Sequence, residues 1–417
     1  MGNFNSQKLN KSYSKFDVSL TVKFFGYIFI IFSLLPWVNF GLNNYDSQPW
    51  FFFSAVFFLL LILRKIILPI NSLKIFIALS FGIIFTFINT YELNNFILFR
   101  ALVGYFGILV LYIAFYNYFH RFGIPINLII FFNFLWIFFA ILQIYYPQLP
   151  IFSSSRSDLS TRGLTSLANE PSFFAIFLFF ISWIYFECRN LIKKSNLIIL
   201  LSVNFLVVIF LAKSLLVLLF YTFSLFSFSL IQLKNIKFNK ILNFKFLLLI
   251  FYFSILIVVI SIFEEYLFGS RVYNFINNLK NEKDLFLIII NDESILSRIE
   301  SLYYSLVGTY YNYFLPGGLD SFIEMRREIF ENNRINFFSN KYESNKIMSW
   351  LGTIFYELGI FGIFTIILIM KSIYRNFKGS FIYFATFFII LFASIPIGFS
   401  IIPMLIAIMV YNKTIEN

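Results

Sequence analysis

Cysteine and histidine are almost missing from this chain: Cys188 and His120 are the single examples among 417 residues. One cysteine excludes an intramolecular disulfide, and one histidine excludes the usual His/Cys metal sets. Charge is scarce too, at 12% of residues. The polar segments contain no Asp-x-Asp pair, and the adjacent Asp292 and Glu293 point apart on a helix. No metal and no other cofactor is expected. The first 23 residues are polar and basic, without an apolar core or a small-residue cleavage site. A removed signal peptide is therefore not expected, and the first apolar stretch serves as the anchor.

What the chain has in excess is apolar sequence. It is 60% hydrophobic, with 64 phenylalanines, and its mean hydropathy is +0.83. No water-soluble domain tolerates such a composition, so the expected class is an all-α, polytopic integral membrane protein. A span needs about 20 apolar residues, fewer where its ends snorkel. That rule places spans near 24–40, 50–63, 75–90, 101–119, 126–145, 172–187, 197–212, 214–232, 246–263, 347–370, 381–396 and 398–411, about twelve transmembrane helices. Pro396, Gly398 and Pro403 interrupt the last pair, so a re-entrant hairpin is an alternative there. The expected division is a basic tail 1–23, a first bundle 24–263 with a loop 146–171, a long polar segment 264–346, C-terminal spans 347–411 and a tail 412–417.

The net charge of +12 could suggest nucleic acid, but its distribution argues otherwise. Lysines and arginines crowd alternate short segments: the N-terminal tail, Arg64–Lys74, Arg121, Arg189–Lys194, Lys234–Lys245, Lys371–Lys378 and Lys413. The short loops between them hold only Arg100, Arg156, Arg162 and Lys213. By the positive-inside rule both termini are cytoplasmic, and the loop 146–171 and the segment 264–346 lie outside. Trp37, Trp50 and Trp350 fall near outer span ends and read as belt residues. The long segment carries both signs of charge and its own helical signals. Ile295, Ile299, Leu302 and Leu306 recur on one helical face, with Arg298 on its flank. Leu315-Pro316-Gly317-Gly318-Leu319 is a strong turn. Ser321 and Glu324 then read as a capping box opening a helix through about Asn333, with Glu324, Arg326, Arg327, Glu328 and Glu331 solvated.

Chemistry concentrates in the loop Arg162–Ser172. Glu170 precedes Pro171, which suits the first turn of a helix, so Glu170 sits at the positive end of a helix dipole near the membrane surface. The outer arginines Arg156, Arg162 and Arg298 suit phosphate, because a guanidinium meets phosphate oxygens bidentately. Arg271 reads as a solvated loop charge. Glu357 lies within a span, where a carboxylate is costly; it is either functional or reaches a polar vestibule or Lys213.

Arg162-Gly163-Leu164 followed by Glu170-Pro171-Ser172 at the head of a span resembles the bacterial oligosaccharide repeat-unit polymerases, the Wzy or O-antigen polymerase family. Arg298–Leu306 is similar to that family's second arginine segment, Tyr313–Leu319 to its glycine turn, and Tyr356–Gly362 to the span that follows. The resemblance implies a glycosyltransferase of the bacterial plasma (inner) membrane. It would polymerise undecaprenyl-diphosphate-linked oligosaccharide repeat units into O-antigen (lipopolysaccharide) or capsule polysaccharide on the outer face. It implies that Arg162 and Arg298 hold the donor diphosphate and Glu170 is the base, with Arg156, Gly317, Gly318 and Glu357 at the substrate. Lipid-linked oligosaccharide, the bilayer, a chain-length regulator and a flippase are the implied partners. The O-antigen ligases share this architecture but use a histidine in the long outer loop, whereas His120 falls on the cytoplasmic side. A glycosyltransferase using polyprenyl monophosphate sugars would place an acid in the first outer loop, where Asp46 lies. A lipid-linked glycan transporter predicts internal repeats and ionisable residues at the bilayer midplane; the repeats are not found.

Overall fold

The computed structural model of the chain describes residues 20–38, 48–90, 95–149, 151–152, 162–234, 273, 277, 293–319, 321–333, 347, 349–374, 381–392 and 395–416. Among these, all regular structure is helical: α1 (Leu20–Ser33), α2 (Trp50–Leu61), α3 (Ser72–Ile88), α4 (Asn95–Phe122), α5 (Ile126–Tyr145), α6 (Pro171–Glu187), α7 (Lys194–Val207), α8 (Leu215–Lys234), α9 (Glu293–Tyr311), α10 (Phe322–Asn333), α11 (Trp350–Tyr374), α12 (Phe381–Leu391) and α13 (Ile401–Glu416). Every stretch expected to span overlaps a helix, apart from 246–263, which lies outside the described residues; the first helix stops at Ser33, short of the expected 40. Among the described residues, four helical segments are by themselves long and apolar enough to cross a bilayer: Phe99–Phe122, Ile126–Tyr145, Lys194–Ala212 and Trp350–Ile373. Asp46, Arg156 and Arg271 also lie outside the described residues.

The bundle is built around α6. Every residue from Phe174 to Tyr185 is buried, as a helix apolar on all sides requires. Side-chain amides and hydroxyls join its neighbours: Asn133 Nδ2 on α5 donates to Asn204 Oδ1 on α7 at 2.8 Å, and Asn204 Nδ2 donates to Ser182 Oγ on α6 at 3.0 Å. Such polar contacts hold helices together where lipid removes the hydrophobic drive between them. The outer surfaces of α3 and α11 stay apolar and exposed, with Ile84, Phe85, Ile88, Ile360, Phe364 and Ile367 among them.

Polar contacts sort the helix ends into two sets. At one end Ser400 Oγ donates to Ser33 O at 2.5 Å, and Asn89 Nδ2 to Pro316 O at 2.7 Å. At the other, Asn117 Nδ2 donates to Ile67 O at 2.8 Å, Asn71 Nδ2 lies 3.1 Å from Ser372 Oγ, and Asn412 Nδ2 donates to Glu187 O at 3.1 Å. The Arg121 guanidinium also meets the Lys65 carbonyl there. This second end carries Arg64, Lys65, Arg121, Arg189 and Lys193, and is the basic end. The first holds the connections 162–170 and 312–321, and is the loop end. Tied to Ser33 through Ser400 and to Glu187 through Asn412, α13 runs from end to end, so its half of the hairpin is not re-entrant.

Two expectations, the tryptophan belt and a solvated Arg326, are corrected by packing. Trp37 is stacked between Phe173 and Phe399 at 5.4 and 5.0 Å, and Trp350 is fully buried, so neither is a belt residue; Trp50 is half-buried. On α9, the apolar face is not the buried one. Ile299 and Leu306 are exposed, while Leu296, Glu300, Tyr304 and Gly308 face inward. Arg326 is not solvated: it is 7% exposed, and its Nη2 lies 2.5 Å from Glu300 Oε1, itself on a residue 4% exposed. The guanidinium also covers the Tyr304 ring at 5.7 Å. Burial pushes the Glu300 carboxyl above the ordinary carboxylate range, opposed by the charge and hydrogen bond of Arg326. Glu324, Arg327, Glu328 and Glu331 are exposed as expected. α9 and α10 thus close a small core of their own, with Leu296, Tyr304, Phe322, Met325 and Ile329 against Tyr356 of α11.

Candidate functional site at the loop end

The Arg162 loop is seated by its own glycine. α7 ends in a π turn, Val208–Ala212, and Lys213 follows with φ 45°, in the left-handed region. A helix end of this kind leaves carbonyls without intrahelical donors. Leu164 N–H supplies one, donating to Leu211 O at 2.8 Å. The approach is possible because Gly163 has φ +90° and no side chain; a Cβ there would strike the Ala212 carbonyl, with Ala212 C 2.6 Å away. Arg162 is exposed at the rim, whereas Lys213, following the π turn, is 7% exposed. The sequence offered Lys213 as an outer charge and a candidate partner of Glu357; the structure brings the backbone just before it against the loop.

Beyond Gly163 the loop turns inward. Thr165 and Ser166 are completely buried. Gln143 holds them: its Oε1 accepts from Thr165 N–H at 3.1 Å and Ser166 N–H at 2.9 Å, and its Nε2 donates to Thr165 Oγ1 at 2.9 Å. Ser166 Oγ donates to Trp136 O at 2.6 Å. Buried backbone donors need such partners, and nothing in the sequence around Gln143 announced that role. The loop then delivers Glu170 in extended conformation, φ −142° and ψ 150°, with Pro171 opening α6 as expected. The Glu170 side chain makes no capping bond to the helix; its Oε2 accepts from Ser172 Oγ at 3.3 Å. Its carboxylate is half-buried at the head of the most enclosed helix.

A second group forms where α11 is broken. Gly359 has φ 55° and ψ −136° inside that helix, and a Cβ on it would fall 2.5 Å from Phe314 O. The turn 312–319 occupies the break: Ile360 N–H donates to Phe314 O at 2.7 Å, and Gly317 N–H to Tyr356 O at 2.9 Å. Gly317 and Gly318 therefore line α11 and the end of α3. Leu319 N–H donates to Thr90 Oγ1 at 3.0 Å. The Ser321 hydroxyl faces the Gly317 and Gly318 carbonyls at 2.7 and 2.9 Å and the Tyr356 hydroxyl at 2.9 Å. Glu357 sits two residues before the break, half-buried, its carboxylate accepting from the Tyr105 hydroxyl of α4. Tyr105 is a partner the sequence did not reveal. Arg298 is half-buried on α9, N-terminal to Ser305 and Gly308, where that helix meets Gly352 and Tyr356 of α11.

The two groups stand at one end of the bundle on different supports, α5–α8 for Arg162 and Glu170, α3 and α11 for Gly317, Gly318 and Glu357. Chemically they offer the exposed Arg162 guanidinium for an anion, and two half-buried carboxylates, Glu170 and Glu357, for a proton. Among the described residues no three of His, Cys, Asp or Glu come together. One consequence can be measured directly. Gly163→Ala should cost roughly 1–3 kcal/mol in left-handed strain alone, and more from the clash with Ala212. Gly107→Ala, where a Cβ would meet only Phe52 at 3.8 Å, should be neutral or stabilising by up to about 1 kcal/mol. Thermal melts of the two purified variants check this, and equal melting would remove the seating argument. No protein-family model, curated protein or solved structure matches the chain.

Proposed function

We propose that this chain is a plasma-membrane glycosyltransferase that polymerises undecaprenyl-diphosphate-linked oligosaccharide repeats on the outer face. In this reading some twelve spans cross the bacterial inner membrane, both termini are cytoplasmic, and the loop end faces outward. The observation that carries it is the seating of Gly163 on the break before Lys213. It seats the exposed Arg162 at the end where Glu170 and the Arg298 helix also lie. Two guanidiniums, Arg162 and Arg298, suit a diphosphate leaving group, and each charge-assisted hydrogen bond contributes roughly 1.5–3 kcal/mol. The Glu170 carboxylate, half-buried at the head of α6, takes the proton from the attacking sugar hydroxyl. The anomeric bond to diphosphate breaks as the new glycosidic bond forms, and undecaprenyl diphosphate departs. The crowding of lysine and arginine at the opposite end supports the orientation.

The broken α11 with its interior Glu357 is the feature that would favour a transporter, whose discontinuous helices expose backbone groups to a ligand. Here Tyr356 O and Ile360 N–H, at the break, are taken by the turn 312–317. That speaks for docking the outer segment rather than for a transport site.

A deletion strain tests the function by what accumulates. Loss of a polymerase leaves single repeats on the carrier at the outer face, or transferred singly to their acceptor. Long polymer stranded on the carrier would instead identify a ligase, and repeats trapped inside a flippase.

A further inference from the structure

We infer that the exposed apolar stripe of α9 and the aromatic turn that follows it form an interfacial anchor resting on the bilayer at the loop end. The stripe runs Ile299, Leu306 and Tyr310, spaced to share one helical face, and all three are exposed. It continues into the turn, where Tyr310 is 69% and Tyr313 86% exposed, with Phe314 and Leu315 exposed beside them. A patch of this kind on a water-facing domain is an interaction surface.

Three observations select lipid as its occupant. From Ser301 to Leu319 the chain carries no charged residue, whereas α10, packed on the opposite side of α9, presents exposed Glu324, Arg327 and Glu328. The turn is also fastened to the two helices whose outward faces are apolar. Phe314 O accepts from Ile360 N–H of α11, and Pro316 O from Asn89 Nδ2 at the end of α3. Ile360 and Ile88 are exposed next to those bonds, so the apolar surface of the spanning helices passes without interruption into the patch. Finally, the patch is rich in tyrosine, which settles where one end of a side chain is apolar and the other wet. Trp37 and Trp350, the residues first placed at the interface, are spent on the core; the tyrosines at 310, 311 and 313 stand where a belt is needed. The other face of α9 carries the buried Glu300–Arg326 pair, so the helix lies between its own small core and the membrane.

The anchor is mechanically joined to the site. Tyr313 and Phe314 both hold left-handed backbone, φ 53° and 62°, a strained arrangement that surrounding contacts must maintain. Lipid on one side and the α11 break on the other supply those contacts, so the depth of the anchor sets how the turn fills the break beside Glu357.

The test uses full-length protein with Cys188 replaced by serine, reconstituted in phosphatidylethanolamine–phosphatidylglycerol vesicles. Nitroxides are placed singly at Leu306, Tyr313 and Glu328. Labels at 306 and 313 should collide preferentially with oxygen, as lipid-exposed groups do, and the label at 328 with a water-soluble nickel chelate. A label at Tyr310 reads the same face should the 313 variant fail to assemble. Water-like accessibility at 306, 310 and 313 would overturn the anchor. Spin–spin broadening between copies at these sites would overturn it too, by identifying a second copy as the occupant. The readout needs no enzymatic activity, so its outcome is separate from that of the polymerase reading.

Discussion

Arg162→Ala and Arg298→Ala should each abolish surface polymer while the protein stays inserted in the membrane. Arg162 is exposed on a loop whose seating depends on Gly163, Leu164 and Gln143 rather than on the guanidinium. Its removal should therefore leave the fold intact and subtract only ligand contacts. Losing two charge-assisted bonds to the diphosphate, roughly 1.5–3 kcal/mol each, lowers turnover by about two to four orders of magnitude per arginine. Lysine should restore little, because an ammonium lacks the planar fork that meets two phosphate oxygens. Glu170→Gln should lose activity comparably, although as a mere helix-terminal charge it would cost only about 0.3–1 kcal/mol. A glycan ladder beside an immunoblot of the membrane fraction reads these variants. A normal ladder from either arginine variant would remove the diphosphate clamp, and one from Glu170→Gln would move the base to another carboxylate, Glu357 first.

Arg326→Ala should be among the most destabilising single changes in the outer segment. On sequence alone it looked silent, a charge on the solvated side of a capped helix. In the structure it leaves Glu300 buried without its cation, and breaking a buried pair by removing one partner typically costs about 3–5 kcal/mol. Replacing both, Glu300→Gln with Arg326→Met, should recover most of that loss, since two neutral groups need no mutual compensation. The pH dependence has a defined sign. Burial already raises the Glu300 carboxyl, and Arg326 opposes that rise. Without Arg326 the folded-state pKa climbs further above the unfolded value. Stability then falls as pH rises through that interval and returns as pH drops below the unfolded pKa. The melting temperature of the alanine variant should therefore rise as pH is lowered from 7 towards 5, more than that of the unaltered protein. A flat profile would mean that Glu300 finds another cation.

The contrast between these two arginines shows where sequence reading stops. Whether a stretch is helical and apolar is a local property: α5 and α11 follow from run length, and the start of α6 follows from Glu170-Pro171. The turn at Pro316-Gly317-Gly318 and the helix through Asn333 were legible for the same reason, since glycine, proline and the residues after Ser321 act on their own neighbours. Periodicity also found the apolar face of α9 correctly. It could not tell that the face looks outward, because beside a membrane the apolar side need not be the buried one.

What the sequence by itself determined, then, is an apolar helical chain, the positions of its helices, and two polar connections rich in arginine and glycine. What only the tertiary structure decided is which groups meet. Gln143 holds Ser166, Leu164 closes the end of α7, Tyr105 bonds Glu357, and Glu300 finds Arg326 across 26 residues. Trp37 and Trp350 likewise went to the core. The physical reason is that burial and hydrogen bonding depend on what lies across a helix interface, while periodicity records only which side of a helix a residue is on.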